Sequence, residues 1–436
     1  MSNKIKIVYV CSECGEEFSK WQGKCDSCNS WNTIKEFKTT SRSSAARSKV
    51  QADEPILLND IQTKEEDRIS TGSSEFDESL SGGLVTGSIT LLGGDPGIGK
   101  STLMLQVAHS VSNSLYISGE ESLSQISIRA KRLKLDLKRI KVVSQTNVGN
   151  IIATIEKNKP RLVIIDSIQT LLDENFPSTP GSLVQVRECS LLLAKTAKTL
   201  DIPIIIVGHV TKEGNVAGPK TLEHLVDTVC YLEGKKYESI RIVRTVKHRF
   251  GSTNEIGIFE MTNSGLKSLK NPSAHFINQK SLNSPGTALA VIIDGNKPFI
   301  IEVQALTTKT NSPYPKRLAS GIDAKRLDLI VAILENIIEV ETYKYDIFIN
   351  ITGGISIKDM SVDLAVAICI ISSLKKWKVP DKWCYFGELG LAGEIRTTQN
   401  EAIKIKEAKR LGYIPVSEID SLQAAIEMLK NSNNGK

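Results

Sequence analysis

The sequence predicts an α/β protein with a small cysteine-rich module at its front and a separate α+β domain at its end. Three observations carry that prediction. Four cysteines fall in two matched C-x-x-C pairs near the N-terminus; short apolar strands alternate with helical patterns from about Ile56 to Gly265; and the pattern changes to hairpin and helix after about Leu282. A chain of 436 residues is too long for one core. Its 40% apolar and 24% charged residues are those of a soluble globular protein, and a net charge of +6 permits a polyanionic partner without requiring one. The longest apolar run, Leu364 to Ile370, is far short of the ~20 residues of a membrane span. Ile7-Val8-Tyr9-Val10 gives way to Cys11 and Ser12 without forming a signal-peptide core, so a cytoplasmic protein with reduced cysteines is expected.

Residues 1–38 form the first module. Cys11-x-x-Cys14 and Cys25-x-x-Cys28, with ten residues between, have the spacing of a zinc ribbon or knuckle, in which each pair holds two thiolates for a tetrahedral ion. Gly15 and Gly23 are expected to supply backbone freedom to the turns, and Trp21 and Trp31 to cover the site. Disulfides or a redox pair are the alternatives. A reducing compartment and two matched pairs favour a structural Zn²⁺. Cys189, Cys230, Cys369 and Cys384 sit among apolar neighbours as core fillers. Residues 39–55, including the run TTSRSSAARSKV, read as a basic, solvated linker.

The second domain is expected over 56–270. Gly94-Asp95-Pro96-Gly97-Ile98-Gly99-Lys100-Ser101, continued by Thr102, fits G-x-x-x-x-G-K-[ST]. The apolar strand Ser88–Leu92 precedes it, and Leu103, Val107, Ala108 and Val111 follow at helical spacing. A glycine-rich turn between strand and helix N-terminus aims backbone N–H groups and the helix dipole at an anion. Lys100 is expected to reach the β- and γ-phosphates of a nucleoside triphosphate, and Ser101 to bind Mg²⁺. Further strands are expected at Leu115–Ile117, Leu162–Ile165 and Ile204–Val207, with edge or antiparallel strands at Val229–Leu232 and Ile240–Thr245. Asp166, closing the strand that begins at Arg161, is the expected carboxylate of the metal shell. Glu120, in Tyr116-Ile117-Ser118-Gly119-Glu120-Glu121-Ser122, either activates the attacking water or belongs to a solvated acidic turn. Lys247 and Arg249, in Lys247-His248-Arg249-Phe250-Gly251, point the same way on an extended segment. They either reach a phosphate outside their own subunit's loop or form a solvated basic turn.

Residues 271–436 are expected as the α+β domain. Thr287–Ile293 and Phe299–Ala305 alternate as strands around the turn Asp294-Gly295-Asn296-Lys297. A strand at Asp346–Ile351, a helix through Leu364–Leu374, a strand near Tyr385–Glu388 and a final helix at Lys404–Leu411 follow.

The four-cysteine start with its tryptophans, the loop GGDPGIGKST, the run YISGEES and the pentapeptide KHRFG together resemble the bacterial RadA (Sms) family of RecA-like recombination ATPases. The resemblance runs from about Tyr9 over nearly the whole chain. It implies a homo-hexameric ring of RecA-like domains that bind ATP between subunits, act on single-stranded DNA and branched recombination intermediates, and meet the RecA recombinase. It gives Lys100 and Ser101 the phosphate-loop roles, Asp166 the metal-shell role, Glu120 the catalytic role, and Lys247 and Arg249 a contact with the neighbour's ATP. His248 stands where the family motif has Asn. Gly208 to Gly214, with His209 and Lys212, resembles a sensor strand opening a DNA-facing loop, so Lys212 and Lys220, with Lys247 and Arg249, are candidate DNA contacts.

Gly387-Glu388-Leu389-Gly390-Leu391-Ala392-Gly393-Glu394-Ile395 resembles the proteolytic domain of Lon proteases, which implies a Ser–Lys pair. Ser361 falls at the nucleophile position and doubles as an ordinary N-cap; the lysine position falls on Ala402. Lys404, two residues on, is expected on the opposite helix face. The domain is therefore read as proteolytically inactive, serving ring assembly and DNA contact, with Lys316, Arg317, Lys325 and Arg326 as a basic surface or a plain solvated face. A DNA-stimulated motor leads; an ATP-dependent protease and an ATP-switched DNA clamp are the other readings.

Overall fold

The computed structural model describes residues 5–11, 16–40, 57, 68–176, 178–209, 222–235, 238–282, 284–338, 340–398 and 400–434. The chain divides into two compact units. One takes Met1–Glu233, Ile242–Gly257 and Met261–Ser268; the other takes Gly234–Arg241, Ile258–Glu260 and Leu269–Lys436.

The first unit begins with a three-stranded antiparallel ribbon, β1 (Ile5–Cys11), β2 (Glu17–Phe18) and β3 (Ile34–Thr40), in the order β2-β1-β3. β3 reaches into the expected linker, which lies outside the described residues from 41 onward. The turns after the second cysteine pair use Asn29 and Asn32 at φ 60° and 59°, a conformation Asn tolerates because its short side chain bonds locally. Gly23 does not adopt a positive φ, so the freedom expected of it is not used. Gly15 lies outside the described residues.

A wound α/β layer follows, drawn from this unit except for Ile240–Arg241 of β12 and Ile258–Glu260 of β13. In chain order it contains β4 (Arg68–Ile69), α1 (Ser74–Ser79), β5 (Leu84–Val85), β6 (Ile89–Gly94), α2 (Lys100–Ser110), β7 (Ser114–Ser118) and α3 (Leu123–Arg132). There follow β8 (Lys141–Ser144), α4 (Val148–Asn158), β9 (Leu162–Asp166), α5 (Leu183–Leu200), β10 (Ile204–Val207), β11 (Thr228–Glu233), β12 (Ile240–His248), β13 (Ile256–Thr262) and β14 (Gly265–Ser268). The nine-stranded sheet runs β14-β13-β12-β11-β6-β10-β9-β7-β8. β6, β7, β9 and β10 are buried at every residue, as parallel strands covered on both faces must be. Helices start where side chains can cap them: Ser122 and Gln125 form a capping box on α3, Asn147 caps α4 and Ser182 caps α5. β11 is interior rather than an edge, parallel to β6 and antiparallel to β12.

The second unit contains α6 (Pro272–Phe276), β15 (Thr287–Asp294), β16 (Lys297–Lys309), β17 (Arg317–Ser320), α7 (Ala324–Ile338), β18 (Tyr345–Ile351) and α8 (Asp363–Lys375). It continues with β19 (Trp383–Tyr385), β20 (Glu388–Leu389), β21 (Ile395–Arg396), α9 (Glu401–Arg410), β22 (Ile414–Val416) and α10 (Leu422–Asn434). Its six-stranded sheet runs β17-β18-β16-β15-β19-β22. Asp294 pairs with Lys297 and Gly295 takes φ 61°, so the hairpin turns over two residues as its sequence predicts. The expected final helix is α9, but α10 follows it and buries Leu422, Ala425, Ile426 and Leu429. The strand expected near Tyr385–Glu388 is two short strands, β19 and β20.

Candidate nucleotide site and metal module

The phosphate loop forms as its sequence requires. Gly94, Gly97 and Gly99 take φ 146°, 78° and 121°, and a Cβ on Gly94 would stand 2.6 Å from the Leu232 carbonyl. Lys100 opens α2, and its buried ammonium donates to the carbonyls of Gly94 (2.7 Å) and Asp95 (3.0 Å). Burial lowers the Lys100 pKa, while Asp166, Glu120 and Asp95 pull it back up. Ser101 and Thr102 follow on the first turn of the same helix.

Three further parallel strands deliver the other groups at or near their C-terminal ends, where wound α/β sheets bind ligands. Sheet order places β10, β9 and β7 in succession beside β6. β9 ends in Asp166, which is buried and accepts a 2.5 Å hydrogen bond from the Tyr116 hydroxyl of β7. Burial first, then Asp166, raises the Tyr116 pKa, so the phenol stays a donor. Glu120, two residues past β7, accepts on Oε1 from the Ser167 hydroxyl and from His209 Nε2 at 3.0 Å. His209 itself lies two residues past β10. A carboxylate can only accept, so Nε2 of His209 carries the proton in this pair. Its bond, helped by Ser167 and by the charge of Lys100, holds the Glu120 carboxyl down at about 2 against the cost of burial. Oε2 of Glu120 has no partner among the described residues. The cluster therefore sets the Lys100 ammonium in the field of Asp166, Glu120 and Asp95, with Glu120 ionised and its Oε2 unpartnered among the described residues. Tyr116, Ser167 and the ring contact of His209 were not singled out by sequence reasoning.

Lys247 and Arg249 are elsewhere. Thr228 pairs with both Thr90 and His248, while Leu232 pairs with Gly94, so the KHRFG segment lies level with the root of β6. Arg249 N–H donates to the Asp227 carbonyl, and Asp227 pairs with Ile89, which puts Arg249 roughly 16 Å along the strand from Gly94. Arg249 bonds Asp227 Oδ1 at 3.0 Å. Lys247 Nζ donates to the carbonyls of Glu223 (2.5 Å) and Val226 (2.9 Å). Burial, then Arg249, lowers the Lys247 pKa, and Asp227 and Glu223 oppose this. His248 donates from Nε2 to the Leu80 carbonyl (3.0 Å) and accepts at Nδ1 from Thr228 and from Phe250 N–H. The ring thus offers one donor and one acceptor, both engaged. Lys212 and Lys220 lie outside the described residues.

In the ribbon, the sulfurs of Cys11, Cys25 and Cys28 lie within 4.8 Å of one another, and those of Cys11 and Cys28 are 3.7 Å apart. Tetrahedral zinc–thiolate bonds of about 2.3 Å set sulfurs about 3.8 Å apart, so the cluster fits Zn²⁺. Cys14 lies outside the described residues. Trp21 and Trp31 are 60% and 69% exposed, the former held by a 3.2 Å bond to the Ile34 carbonyl.

In the second unit Ser361 is buried, but it is not an N-cap: Asp359 caps that turn by accepting from Ser361 N–H (2.9 Å). The Ser361 hydroxyl donates to the Val291 carbonyl at 3.4 Å. Lys404 lies on the helix face opposite Ala402, as expected, but it is this face that packs inward. α9 buries Lys404 and Ala408 and exposes Ala402, so Lys404 Nζ reaches Asp359 (3.0 Å) and Thr398 (3.2 Å). Of the four basic candidates, Arg317 holds the carbonyls of Tyr345 and Thr342, and Arg326 pairs with buried Asp363, leaving Lys316 and Lys325 exposed.

Residues 60–215 match the family model described as an AAA domain, residues 9–36 a rubredoxin metal binding domain, and residues 323–416 subunit ChlI of Mg-chelatase. The chain is 43% identical over 430 residues to the DNA repair protein RadA of Bacillus subtilis, covering 96% of this chain and 94% of that one. To the protein of that name from Aquifex aeolicus it is 44% identical over 448 residues, covering 98% and 99%. To that from Pseudomonas aeruginosa it is 41% identical over 416 residues, covering 94% and 92%. No helix of the described residues is long and apolar enough to cross a membrane.

Proposed function

This chain belongs to the RadA family of DNA repair proteins, and from that premise we propose that its RecA-like ATPase core is a DNA-dependent motor of homologous recombination. It drives branch migration of recombination intermediates with helicase-like translocation on single-stranded DNA. The observation that carries this reading is the distance between the cation pair and the phosphate loop of the same chain. Lys247 and Arg249 stand level with the root of β6 while the loop is at its tip. Cations placed there serve a nucleotide bound by another subunit, and a closed ring, here a homo-hexamer, presents that nucleotide.

In this reading Lys100 and the loop N–H groups hold the β- and γ-phosphates, and Glu120 orients and deprotonates the attacking water. Ser101 and Asp166 would hold Mg²⁺, which neutralises charge on the phosphates. Lys247 and Arg249 meet the γ-phosphate of the neighbour, so hydrolysis loosens one interface between subunits; Lys212 and Lys220, outside the described residues, are candidate DNA contacts. The C-terminal unit serves assembly and DNA contact rather than proteolysis, a view supported by the Ser361 hydroxyl, which bonds a backbone carbonyl rather than a base. Partners are DNA and the RecA recombinase.

The test is steady-state ATP hydrolysis with and without single-stranded DNA, with Lys100→Ala as the inactive control. Stimulation by DNA that Arg249→Ala abolishes, with nucleotide binding intact, is the expected result. Hydrolysis indifferent to DNA sinks the motor reading, and loss of nucleotide binding in Arg249→Ala returns Arg249 to its own subunit's site.

A further inference from the structure

Asp227 makes four contacts that converge on two residues. Its backbone N–H donates to the Ile89 carbonyl and its Oδ2 accepts from Ile89 N–H, both at 3.0 Å. Its backbone carbonyl accepts from Arg249 N–H at 3.1 Å, and its Oδ1 accepts from Arg249 Nη1 at 3.0 Å. The carboxylate is only 3% exposed, whereas the Arg249 side chain is 49% exposed. A guanidinium carries five N–H donors in a planar fork, and Asp227 engages one. The other four have no partner among the described residues. One edge of the fork is thus fixed and the rest faces outward, the arrangement that suits bidentate contact with a phosphate.

We propose that Asp227 is the positioning residue for Arg249, resting on the reading of Arg249 as a cation for a neighbouring nucleotide. Its grip does two things. It orders a long side chain before the phosphate arrives, so less conformational freedom is lost on contact. It also ties the cation to Ile89, the first residue of the strand that ends in the phosphate loop of the same chain. A shift of β6 with nucleotide occupancy is therefore passed to the cation offered to the next subunit. A buried carboxylate is costly without a partner, so the Asp227–Arg249 pair also opposes complete transfer of Arg249 to a phosphate, which favours release after hydrolysis.

The experiment is a double-mutant cycle on DNA-stimulated ATP hydrolysis by the full chain, using Asp227→Asn, Arg249→Ala and the double variant. Asn keeps an acceptor for Ile89 N–H and removes the charge. Asp227→Asn is expected to lower kcat by roughly 10- to 100-fold, the cost of a misplaced catalytic group, with KM changed less than about twofold. The double variant is expected to be no slower than Arg249→Ala alone. Losses that multiply, or an Asp227→Asn enzyme with normal kcat beside a dead Arg249→Ala, overturn the positioning role. Normal turnover in Arg249→Ala instead overturns the underlying reading of the cation. Should Asp227→Asn not fold, Asp227→Glu carries the same cycle, since it keeps the charge but displaces the fork.

Discussion

Tyr116 and Asp166, fifty residues apart in sequence, are joined by a 2.5 Å hydrogen bond between neighbouring parallel strands, the phenol donating to the carboxylate. The carboxylate expected in the metal shell is thus held by a buried donor that burial itself keeps protonated. Tyr116→Phe preserves the packing and removes the bond. Groups that orient metal ligands typically cost about 10–100-fold in metal affinity or activity when lost. The half-saturating Mg²⁺ concentration for ATP hydrolysis is expected to rise by that order in Tyr116→Phe. An unchanged Mg²⁺ dependence would reduce Tyr116 to a packing residue.

Glu120 is ionised throughout the working pH range, because His209 and Ser167 hold its carboxyl down at about 2. A carboxyl lowered in the folded state contributes stability that is present above its unfolded value, near 4.5, and is lost as pH falls toward 2. The stability difference between the native chain and Glu120→Gln, followed by denaturant unfolding, should shrink across that window. At neutral pH the same variant should bind nucleotide normally and hydrolyse it about 10²–10⁴-fold more slowly, the range expected for loss of a general base. A variant that hydrolyses ATP at the native rate would remove Glu120 from the chemistry.

The turn geometry of the loop Gly94–Ser101 and the meeting of Cys11, Cys25 and Cys28 were legible, because each follows from local spacing. The clasp on Glu120 was not. His209 and Ser167 lie 89 and 47 positions away, and they meet Glu120 only because β10, β9 and β7 are consecutive in the sheet. Nothing in a linear pattern states strand order. Which face of α9 packs inward was not legible either. The lysine position of the dyad falls on Ala402, which is exposed, while the opposite face, through Lys404 and Ala408, is the buried one, and the long lysine side chain brings its charge to Asp359. α8, by contrast, was expected through Leu364–Leu374 and forms over Asp363–Lys375, although eleven of its thirteen residues are buried and no polar face marks the repeat.

His248 donates to the Leu80 carbonyl and accepts from Thr228 and Phe250, and burial favours its neutral form. Burial is the first cause of its lowered pKa, with Arg68 adding to it and the bond to the Leu80 carbonyl opposing it. For a histidine lowered in the folded state, stability is complete above the unfolded value, near 6.5, and falls as pH drops through the folded one. His248→Asn keeps one donor and one acceptor, so hydrolysis at pH 7.5 should be unchanged within about twofold, well inside the effect of a single neutral hydrogen bond. The melting temperature of the native chain should drop more than that of His248→Asn between pH 7 and pH 5. Parallel curves would show that His248 does not report on acid.

The ribbon has too small a core to stand without its ion: Cys11, Cys25 and Ile34 are buried with Tyr9, Phe18 and Cys28 packed against them. The chain should carry one zinc per molecule, measured by metal analysis, and Cys28→Ser should release it. Resistance of residues 5–40 to proteolysis should be lost with the metal, while ATP hydrolysis without DNA should persist. Retention of a protected ribbon in metal-free protein would show that the thiols pack without an ion.

Lys404 and Asp359 form an ion pair in which the ammonium is almost fully buried and the carboxylate also accepts from Ile293 and Ser361 N–H groups. These bonds and Lys404 keep the Asp359 pKa below its ordinary value, although burial, the largest single influence, acts the other way. Removing one member of a buried pair leaves the other uncompensated and costs about 3–5 kcal/mol, whereas replacing both with neutral groups of similar size is often tolerated. Lys404→Met should therefore destabilise the C-terminal unit markedly, and Lys404→Met with Asp359→Asn should recover most of the loss, read by thermal unfolding. Ser361→Ala should change stability little, because its hydroxyl makes one long bond, and it should leave peptide hydrolysis at the same background in the presence of ATP. A dyad of Ser361 and Lys404 makes the opposite forecast: both single variants would abolish a measurable ATP-dependent cleavage of unfolded protein, and neither would be rescued by Asp359→Asn.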